Sequence, residues 1–279
     1  MQIQAAEVPV VRAAPSAAVL QISYVKSGSY FLWKTIDTLF RAHGSHRSFV
    51  ARHPIQRLRT AWPDFSIEQF DIDQILIQED GVHWTIEMQH LEPITDLPDY
   101  VAACSHVWTH SMLCERSWQV YPRFGRRCII IRDPRDALIS MAHFVQTPFM
   151  RRYHPHPAES AEEYVASELT PFLEDWCRHT EDHLRARRAL DIEVLHYERL
   201  TADLDAAVRH LDTWIGLGLD DTVLRSVAEA VSLSKMQQQN PQHVRNGRRG
   251  GFRDQLTQAQ QKRALAIVAP TMRAAGYDV

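Results

Sequence analysis

The chain has 279 residues, is 45% hydrophobic and carries a formal net charge of −3. That length and apolar fraction suffice for one large domain with a full core, and the lack of a basic surplus argues against a general nucleic-acid binder. The four cysteines are widely spaced and form no C-x-x-C pair, which favours reduced thiols over a disulfide framework. Because there is no signal-peptide pattern and no run of about 18 apolar residues, the sequence predicts a soluble, cytoplasmic protein without a membrane span.

The first predicted unit is a strand followed by a helix. Residues 18–25 (AVLQISYV) are apolar and partly β-branched, as in a buried strand. Apolar side chains then recur at helical spacing over residues 32–40, and Gly44 is placed to end the helix. We expect residues 1–17 to be a flexible N-terminal segment and residues 18–279 to form the folded domain.

Two later segments repeat the order of strand and helix. Residues 128–131 (CIII) predict a strand, after which Asp133 suits a helix N-cap and Pro134 the first helical position. Residues 192–197 (IEVLHY) predict a third strand, followed by a helix that ends at Gly216. This alternation predicts a single α/β domain with a central parallel β-sheet flanked by helices.

Two further helices and two irregular regions complete the prediction. One helix lies within residues 160–188, opens with a capping-box pattern and is interrupted at Pro171. The other lies within residues 257–275, where one proline predicts a kink. Residues 45–100 and 145–158 show no sustained period, so we expect long loops there, of the kind that often bind ligands.

A cationic, hydroxyl-rich corner follows the first strand. Lys26, Ser27, Gly28 and Ser29 supply an ammonium, two hydroxyls and a close backbone approach at a helix N-terminus, which together describe a phosphate cradle. The signature of nucleotide triphosphatases does not fit, because its lysine follows its glycine. An ordinary strand-to-helix loop with a solvated lysine is the alternative.

Two other segments also carry groups that bind anions. Arg132 ends the second predicted strand, and Ser140 lies about two helical turns further on, although Arg132 could instead pair with Asp136. The run RNGRRGGFR at residues 245–253 combines guanidinium groups with three glycines, as in a flexible loop that closes on a phosphate. A solvated basic loop or a localisation-type patch is the alternative for this run.

In order and spacing, these segments resemble the motifs of sulfotransferases that use 3′-phosphoadenosine 5′-phosphosulfate (PAPS). Residues 24–31 are similar to Y-P-K-S-G-T-T-W, a P-loop-like motif, and residues 132–144 to R-N-P-K-D-x-x-x-S-x-x-H-F. Residues 245–253 are similar to R-K-G-x-x-G-D-W-K, and residues 197–200 (YERL) to Y-E-D-L. Four motifs in register are far more specific than one.

The resemblance implies a role for each matching residue. The residues implied for the 5′-phosphosulfate are Lys26, Ser27, Gly28, Ser29, Tyr30 and Phe31. Those implied for the 3′-phosphate are Arg132, Ser140, Arg245, Asn246 and Gly247, and Tyr197 is expected near the adenosine. Three of these positions depart from the family: Tyr30 replaces a threonine, Phe31 a tryptophan and Asn246 a lysine, for which Arg248 and Arg249 could compensate.

Catalysis by such an enzyme needs charge stabilisation and a base. Lys26, with Ser140, is expected to stabilise charge on the departing nucleotide phosphate, and a base must take the proton of the acceptor hydroxyl. The family has a K-T-H segment at a strand end, and residues 100–106 (YVAACSH) resemble a strand that ends in Ser-His. We therefore expect His106 to be the base, with His110 second and the carboxylate of Glu87 third; a purely structural histidine is the alternative for each histidine.

The resemblance predicts transfer of a sulfuryl group from PAPS to a hydroxyl or amine of a small molecule, for instance in secondary metabolism. A P-loop-type kinase, which would need Mg²⁺ and a Walker lysine, and a nucleotide-binding module without turnover are the alternatives. The histidine pairs 106/110 and 154/156 lack a third metal ligand, so we expect no metal.

The irregular regions are expected to build the acceptor site, and the sequence does not indicate an oligomeric state. Aromatic side chains that would suit an aromatic or amphipathic acceptor are Trp62, Trp84, Trp108, Phe149 and Tyr153.

Overall fold

The computed structural model describes residues 18–61, 70–239 and 249–279. The strands in these ranges form one seven-stranded sheet with the order β4-β3-β2-β5-β1-β6-β7. They are β1 (Val19–Ser23), β2 (Gln74–Ile77), β3 (Val82–Ile86), β4 (His90–Pro93), β5 (His106–Thr109), β6 (Arg126–Ile131) and β7 (Ile192–His196). All neighbours are parallel except the pairs β2/β3 and β3/β4, which are antiparallel. The predicted α/β domain with a mainly parallel central sheet is confirmed.

Helices cover both faces of the sheet. Those in the first half of the chain are α1 (Ser29–His43), α2 (Leu97–Ala103), α3 (Ser117–Val120), α4 (Pro134–Phe144) and α5 (Pro148–Tyr153). The remainder are α6 (Ala161–Ala186), α7 (Tyr197–Leu200), α8 (Leu204–Ile215), α9 (Asp221–Ala230), α10 (Leu233–Gln239), α11 (Phe252–Gln255) and α12 (Gln258–Ala274). Short 3-10 helices cover Val50–Arg52, Pro54–Ala61 and Tyr121–Arg123.

The alternating side chains of β1 divide the core into two layers. Val19 packs in the layer that contains α1, α8 and α9, whereas Leu20 and Ile22 pack in the layer that contains α4, α6 and α12. All three side chains are fully buried. Both faces of β1 are covered, so all five of its residues are buried, the polar Gln21 and Ser23 included, as expected for a central parallel strand.

The predicted helix ends and caps are confirmed. Gly44 ends α1 and Gly216 ends α8, both in the left-handed conformation, with φ of 77° and 87°. The Asp133 side chain accepts a hydrogen bond from the backbone N–H of Arg135, and Pro134 opens α4. The local signals at these positions therefore agree with the tertiary structure.

The predicted interruption at Pro171 is wrong, because α6 continues through it as one 26-residue helix. A proline inside a helix costs about 3 kcal/mol. The burial of Phe172, Leu173 and Trp176 against the sheet offsets this cost, since each large apolar side chain contributes about 1.5–3 kcal/mol.

The prediction of an irregular loop over residues 45–100 is also wrong. This region holds the antiparallel strands β2, β3 and β4 and the helix α2. Each strand has only four or five residues, which is too short for a period of two to stand out. Residues 145–158 contain α5, capped by Thr147. No helix in the described ranges is long and apolar enough to span a membrane, and the predicted N-terminal segment, residues 1–17, lies outside those ranges.

Candidate nucleotide and acceptor site

The loop between β1 and α1 has the form of an anion cradle. Lys26 and Gly28 both adopt left-handed backbone conformations, with φ of 60° and 94°. The loop turns directly into the first turn of α1, whose backbone N–H groups favour an anion. The hydroxyls of Ser27 and Ser29 are buried and have no hydrogen-bond partner among the described residues. Buried hydroxyls normally have a partner, so these two are available to a ligand.

Gly28 is required by the ring of Tyr197. A Cβ atom built on Gly28 would lie 2.3 Å from Cδ2 of that ring, which is far inside van der Waals contact. Tyr197 begins α7, directly after β7. Its ring lies edge-on to Phe31 with centroids 6.1 Å apart. The first motif and the Y-E-R-L segment are therefore in direct contact.

Arg132 joins the second motif to the first. Its Nη1 donates a hydrogen bond to the carbonyl oxygen of Lys26 at 3.1 Å, and its guanidinium lies 4.5 Å from the centre of the Tyr197 ring. The contact follows from the topology, because β6 is the parallel neighbour of β1 and both loops leave the same edge of the sheet. The side chain is 9% exposed, so its cation lies at the wall of the site and not in bulk solvent.

The alternative pairing of Arg132 with Asp136 is not what the structure shows. The Asp136 carboxylate instead accepts the backbone N–H groups of Gly250 at 2.6 Å and Phe252 at 2.9 Å. Asp133 forms a two-point ion pair with Arg135, whose guanidinium also lies 4.0 Å from the centre of the Phe252 ring. Helix α4 thus anchors the C-terminal end of the third motif.

The remainder of the third motif falls outside the described ranges. Arg245, Asn246 and Gly247 lie within residues 240–248, so their predicted contacts remain predictions. Arg249, which does lie within the described part, is close enough for its charge to act on the Tyr197 phenol and lower its pKa, although burial raises that pKa overall.

The predicted strand over residues 100–106 that ends at His106 is wrong, whereas the assignment of His106 as the base stays a prediction. Residues 97–103 form helix α2, not a strand, and His106 begins β5 opposite Val19, the first residue of β1. His106 therefore lies at the end of the sheet opposite the anion cradle. It is buried, neither ring nitrogen has a partner among the described residues, and desolvation lowers its pKa to about 3.

His110 follows the last residue of β5 and lines the cavity beside Lys26. Its Nδ1 lies 2.7 Å from the carbonyl oxygen of Ser23, and only a protonated Nδ1 can donate to that acceptor. The indole N–H of Trp108 donates to Nε2 at 3.1 Å. The two contacts fix the neutral tautomer with its proton on Nδ1 and its lone pair on Nε2. Desolvation, followed by the charge of Lys26, lowers the pKa of His110 to about 4, whereas the bond to Ser23 raises it.

Within the described ranges, all the predicted cofactor-binding residues except Ser27 line one cavity of about 340 Å³. Those from the first motif are Lys26, Gly28, Ser29, Tyr30 and Phe31, and those from later motifs are Arg132, Ser140 and Tyr197. The Lys26 ammonium lies 3.7 Å from the centre of the Phe144 ring, which holds it at the cavity wall.

The apolar half of this cavity, which no local sequence pattern indicates, is supplied by β2, the β3–β4 turn, α4, α5 and α10. The apolar side chains from these elements include Ile75, Leu76, Met88, Met141, Met150 and Met236. Methionine at helical spacing is typical of ordinary cores, so its sequence signal was not specific. Among the residues that the structure describes, no group of three or more His, Cys, Asp or Glu side chains could hold a metal.

A parallel sheet that presents cations, buried hydroxyls and a histidine beside an apolar cavity is the arrangement of a group-transfer enzyme with an anionic co-substrate. The model of the sulfotransferase domain family matches residues 18–276, and the chain belongs to that family. No curated protein sequence matches it.

Solved structures of other proteins share this fold. One is retinol dehydratase in complex with androsterone and the inactive cofactor PAP, with a TM-score of 0.61, 13% identity, and coverage of 96% of this chain and 84% of that one. Another is mouse sulfotransferase SULT7A1 complexed with PAP, with a TM-score of 0.60, 18% identity, and coverage of 95% and 87%. A third is retinol dehydratase with retinol and PAP, with a TM-score of 0.60 and 13% identity over 96% and 84% of the two chains.

Proposed function

We propose that this sulfotransferase moves the sulfuryl group of PAPS to a hydroxyl of a largely apolar small molecule, with His110 as the base. The observation that carries the proposal is the convergence of Lys26, Arg132 and His110 on one cavity, which Ser29 also lines with a hydroxyl that has no hydrogen-bond partner among the described residues. Cations and hydroxyl donors match a doubly phosphorylated nucleotide, and a neutral imidazole matches an acceptor that must lose a proton.

The residues present fit PAPS, which when bound supplies the activated sulfuryl group. Lys26, the Ser27 and Ser29 hydroxyls and the first turn of α1 would hold the 5′-phosphosulfate. Arg132 and Ser140 would hold the 3′-phosphate, and we extend that role to the third motif. The ammonium of Lys26 is fixed beside the cavity before any ligand arrives, so it can stabilise charge on the departing phosphate without reorganisation.

His110 is prepared to accept the proton of the acceptor hydroxyl. Its depressed pKa of about 4 keeps the imidazole neutral at pH 7, and its tautomer leaves the lone pair on Nε2, on the side where Trp108 donates. The acceptor hydroxyl must therefore displace the indole N–H from Nε2 as it binds. The carbonyl of Ser23 stays on Nδ1 and stabilises the imidazolium once the proton has moved.

The acceptor is proposed to be largely apolar because the cavity walls are. Methionines contribute much of this lining, and their unbranched side chains adapt to ligand shape. Met88 and Leu233 line the cavity yet are 51% and 38% exposed, as expected for side chains that a ligand covers. Two of the solved structures that share this fold are complexes with androsterone and with retinol, which are apolar molecules.

A ligand panel tests the nucleotide assignment. We expect 3′,5′-ADP to raise the melting temperature of the protein more than AMP does, and ATP with Mg²⁺ to raise it no more than AMP, because only a ligand of the native state stabilises it. Stabilisation by ATP with Mg²⁺ alone would support the kinase alternative.

An activity assay tests the transfer itself. Sulfation of a phenol by the protein with PAPS, measured with and without a chelator, also tests the expectation that no metal is needed. Binding of 3′,5′-ADP without transfer to any acceptor would support the non-catalytic module.

A further inference from the structure

One face of β2 contributes to the acceptor half of the cavity. Ile75 and Ile77 belong to the core layer that contains α4, α6 and α12. Because side chains alternate along a strand, Gln74 and Leu76 lie on the opposite face, where both are partly buried and line the cavity. Gln74 therefore places a primary amide beside the apolar lining.

The register of the sheet sets the neighbours of Gln74. It pairs with Trp108 of β5 on one side and with Thr85 of β3 on the other, and the side chains of paired residues lie on the same face of a sheet. Both neighbours line the cavity, and Trp108 belongs to the core layer that contains α1. Trp108, Gln74 and Thr85 therefore form a polar row across the sheet.

The two outer members of the polar row have hydrogen bonds within the protein. The indole N–H of Trp108 donates to the proposed base. The Thr85 hydroxyl oxygen accepts the backbone N–H of Met88 at 3.0 Å, within the β3–β4 turn, where Glu87 and Met88 have the positive φ values of a type I′ turn. The Gln74 amide makes no side-chain hydrogen bond to any residue that the structure describes.

An amide of this kind in a cavity wall discriminates between ligands. Water satisfies the Gln74 amide in the free enzyme, because the side chain is only partly buried. An acceptor that covers the amide with apolar surface removes this water and leaves a buried polar group unpaired, which is unfavourable. An acceptor with a carbonyl or hydroxyl group at that place restores the hydrogen bond. The amide therefore selects for a second polar group on the acceptor.

The register also sets how far this second group lies from the reacting hydroxyl. One strand spacing, about 4.8 Å, separates Gln74 from Trp108, and His110 lies two residues further along the chain, about 6.6 Å away. Because these two directions are perpendicular, the side chains of Gln74 and His110 start about 8 Å apart. Both line the same cavity, so one elongated molecule can contact the two.

We propose that Gln74 is a specificity-determining residue, which binds a second oxygen group of the acceptor while His110 binds the hydroxyl that is sulfated. The acceptor class is thus an elongated, uncharged molecule whose second group, a carbonyl or a hydroxyl, lies about 8 Å from the first. The methionine-lined wall would cover the apolar segment between them. This inference rests on the proposed function and specifies its acceptor.

The test uses phenols whose para chain carries a methylene, a ketone or an alcohol at the same position. At least one methylene between the ring and the polar group keeps the acidity of the phenol almost unchanged, and moving the group along the chain varies the separation. Calorimetry in the presence of 3′,5′-ADP measures binding, and sulfation with PAPS measures kcat/KM. For wild type, we expect the ketone and the alcohol to bind about fivefold more tightly than the alkyl phenol where the two oxygens are about 8 Å apart.

Replacements of Gln74 separate recognition from packing. Gln74→Leu should abolish both preferences and bind the alkyl phenol at least as tightly as wild type, since no amide remains to be desolvated. Gln74→Glu should keep the preference for the alcohol and lose that for the ketone, because a carboxylate accepts hydrogen bonds but cannot donate them. The matched control is Gln78, an exposed glutamine directly after β2 and outside the cavity, and Gln78→Leu should keep both wild-type preferences.

Three results would overturn this inference and leave the proposed function intact. The first is a wild type that prefers neither the ketone nor the alcohol at any chain position. The second is a Gln74→Leu variant that keeps the wild-type preferences. The third is a Gln74→Glu variant, which conserves the side-chain volume, that still prefers the ketone. Failure of wild type to bind 3′,5′-ADP would overturn the proposed function as well.

Discussion

The phenol of Tyr277 donates a hydrogen bond to Oε2 of Glu198 at 2.9 Å, although the two residues are 79 positions apart. The other oxygen of that carboxylate, Oε1, accepts the backbone N–H of Asp133 at 2.9 Å. Glu198 follows Tyr197, and Asp133 follows Arg132. One carboxylate therefore fixes the positions of the ring and the guanidinium that wall the proposed 3′-phosphate site.

We expect Tyr277→Phe to weaken discrimination between 3′,5′-ADP and AMP, since one hydrogen bond that positions this wall is lost, at a cost of about 1 kcal/mol. Glu198→Gln is the matched control, because an amide can still accept from Asp133 and donate to Tyr277. Calorimetric titration of both nucleotides measures the ratio of their dissociation constants. An equal loss of affinity for the two nucleotides in Tyr277→Phe would show a general structural effect.

Gly28→Ala should abolish nucleotide binding. The added methyl group would overlap the Tyr197 ring, at 2.3 Å from Cδ2, and φ at this position is 94°. Adding Tyr197→Ala should relieve the overlap and partly restore the melting temperature, but not affinity for 3′,5′-ADP, because the ring beneath Arg132 is gone. Thermal denaturation with and without 3′,5′-ADP measures both effects, and near-normal binding by Gly28→Ala would contradict the assignment of this loop.

His106, which begins β5, and His110, which follows its last residue, should behave differently when replaced. His110→Ala should abolish single-turnover sulfation while leaving the affinity for 3′,5′-ADP nearly unchanged, because the imidazole would touch the acceptor and not the nucleotide. His106→Leu, which fills a similar volume at the far end of the sheet, should retain turnover. Loss of chemistry in His106→Leu with a native melting temperature would return the role to that residue.

Trp108→Phe tests how the base is controlled. The indole N–H stabilises the neutral imidazole by donating to Nε2, so its removal should raise the pKa of His110. A hydrogen bond of about 1 kcal/mol corresponds to about 0.7 pH unit. We therefore expect the acidic limb of the kcat/KM profile to move to higher pH by about that amount. An unchanged limb would show that the indole does not control the proton affinity of the base.

The protein should lose stability in mild acid because it buries neutral histidines. Desolvation lowers the pKa of His106 to about 3 and the pKa values of His110 and His183 to about 4, whereas the unfolded chain titrates near 6.5. As the pH falls below about 6.5, these histidines take up protons in the unfolded state but not in the folded state. At pH 5, each histidine therefore lowers the free energy of unfolding by about 2 kcal/mol. Asp73 has the opposite effect between about pH 4 and pH 7. Burial raises its pKa to about 7, so the folded state takes up this proton first and the free energy of unfolding rises as the pH falls.

Urea denaturation from pH 5 to pH 8 checks the sign and size of this effect. His106→Leu should flatten the pH dependence by about one histidine's share, since its ring makes no hydrogen bond that the replacement would break. A free energy of unfolding that stays constant or rises from pH 7 to pH 5 would contradict the prediction. Equal slopes for wild type and His106→Leu would show that His106 is not the group that titrates.

The sequence predicted the anion cradle better than the acceptor half because the two are encoded differently. Lys26 and Arg132 lie next to apolar runs with clear caps, and adjacent parallel strands bring their loops together. The strand predicted over residues 100–106 was wrong because residues 97–103 form α2, whose N-cap Asp96 accepts from the Asp99 N–H. His110 was recognisable only as the residue that follows β5, and its position depends on where that strand begins and ends.

The acceptor half depends on tertiary contacts that no local pattern carries. Strands β2, β3 and β4 are too short to show a period, and the turn at Glu87 and Met88 lacks the Asn-Gly signal of its type. Similarly, the contact of Asp136 with Gly250 and Phe252 spans more than a hundred residues. Long-range hydrogen bonds of this kind follow from the packed fold and cannot be read from spacing.

The position of the β3–β4 hairpin at one margin of the sheet has an evolutionary consequence. Among the strands that the structure describes, β4 pairs with β3 alone and β3 pairs with β2 and β4, so neither is hydrogen-bonded to the β1–β6 pair that carries the cations. If the proposed acceptor site is correct, we expect substitutions in this hairpin to alter the choice of acceptor without disturbing the nucleotide half. During evolution, replacement of this one hairpin of about a dozen residues, the length of two short strands and a tight turn, would be enough to change the acceptor specificity of the enzyme.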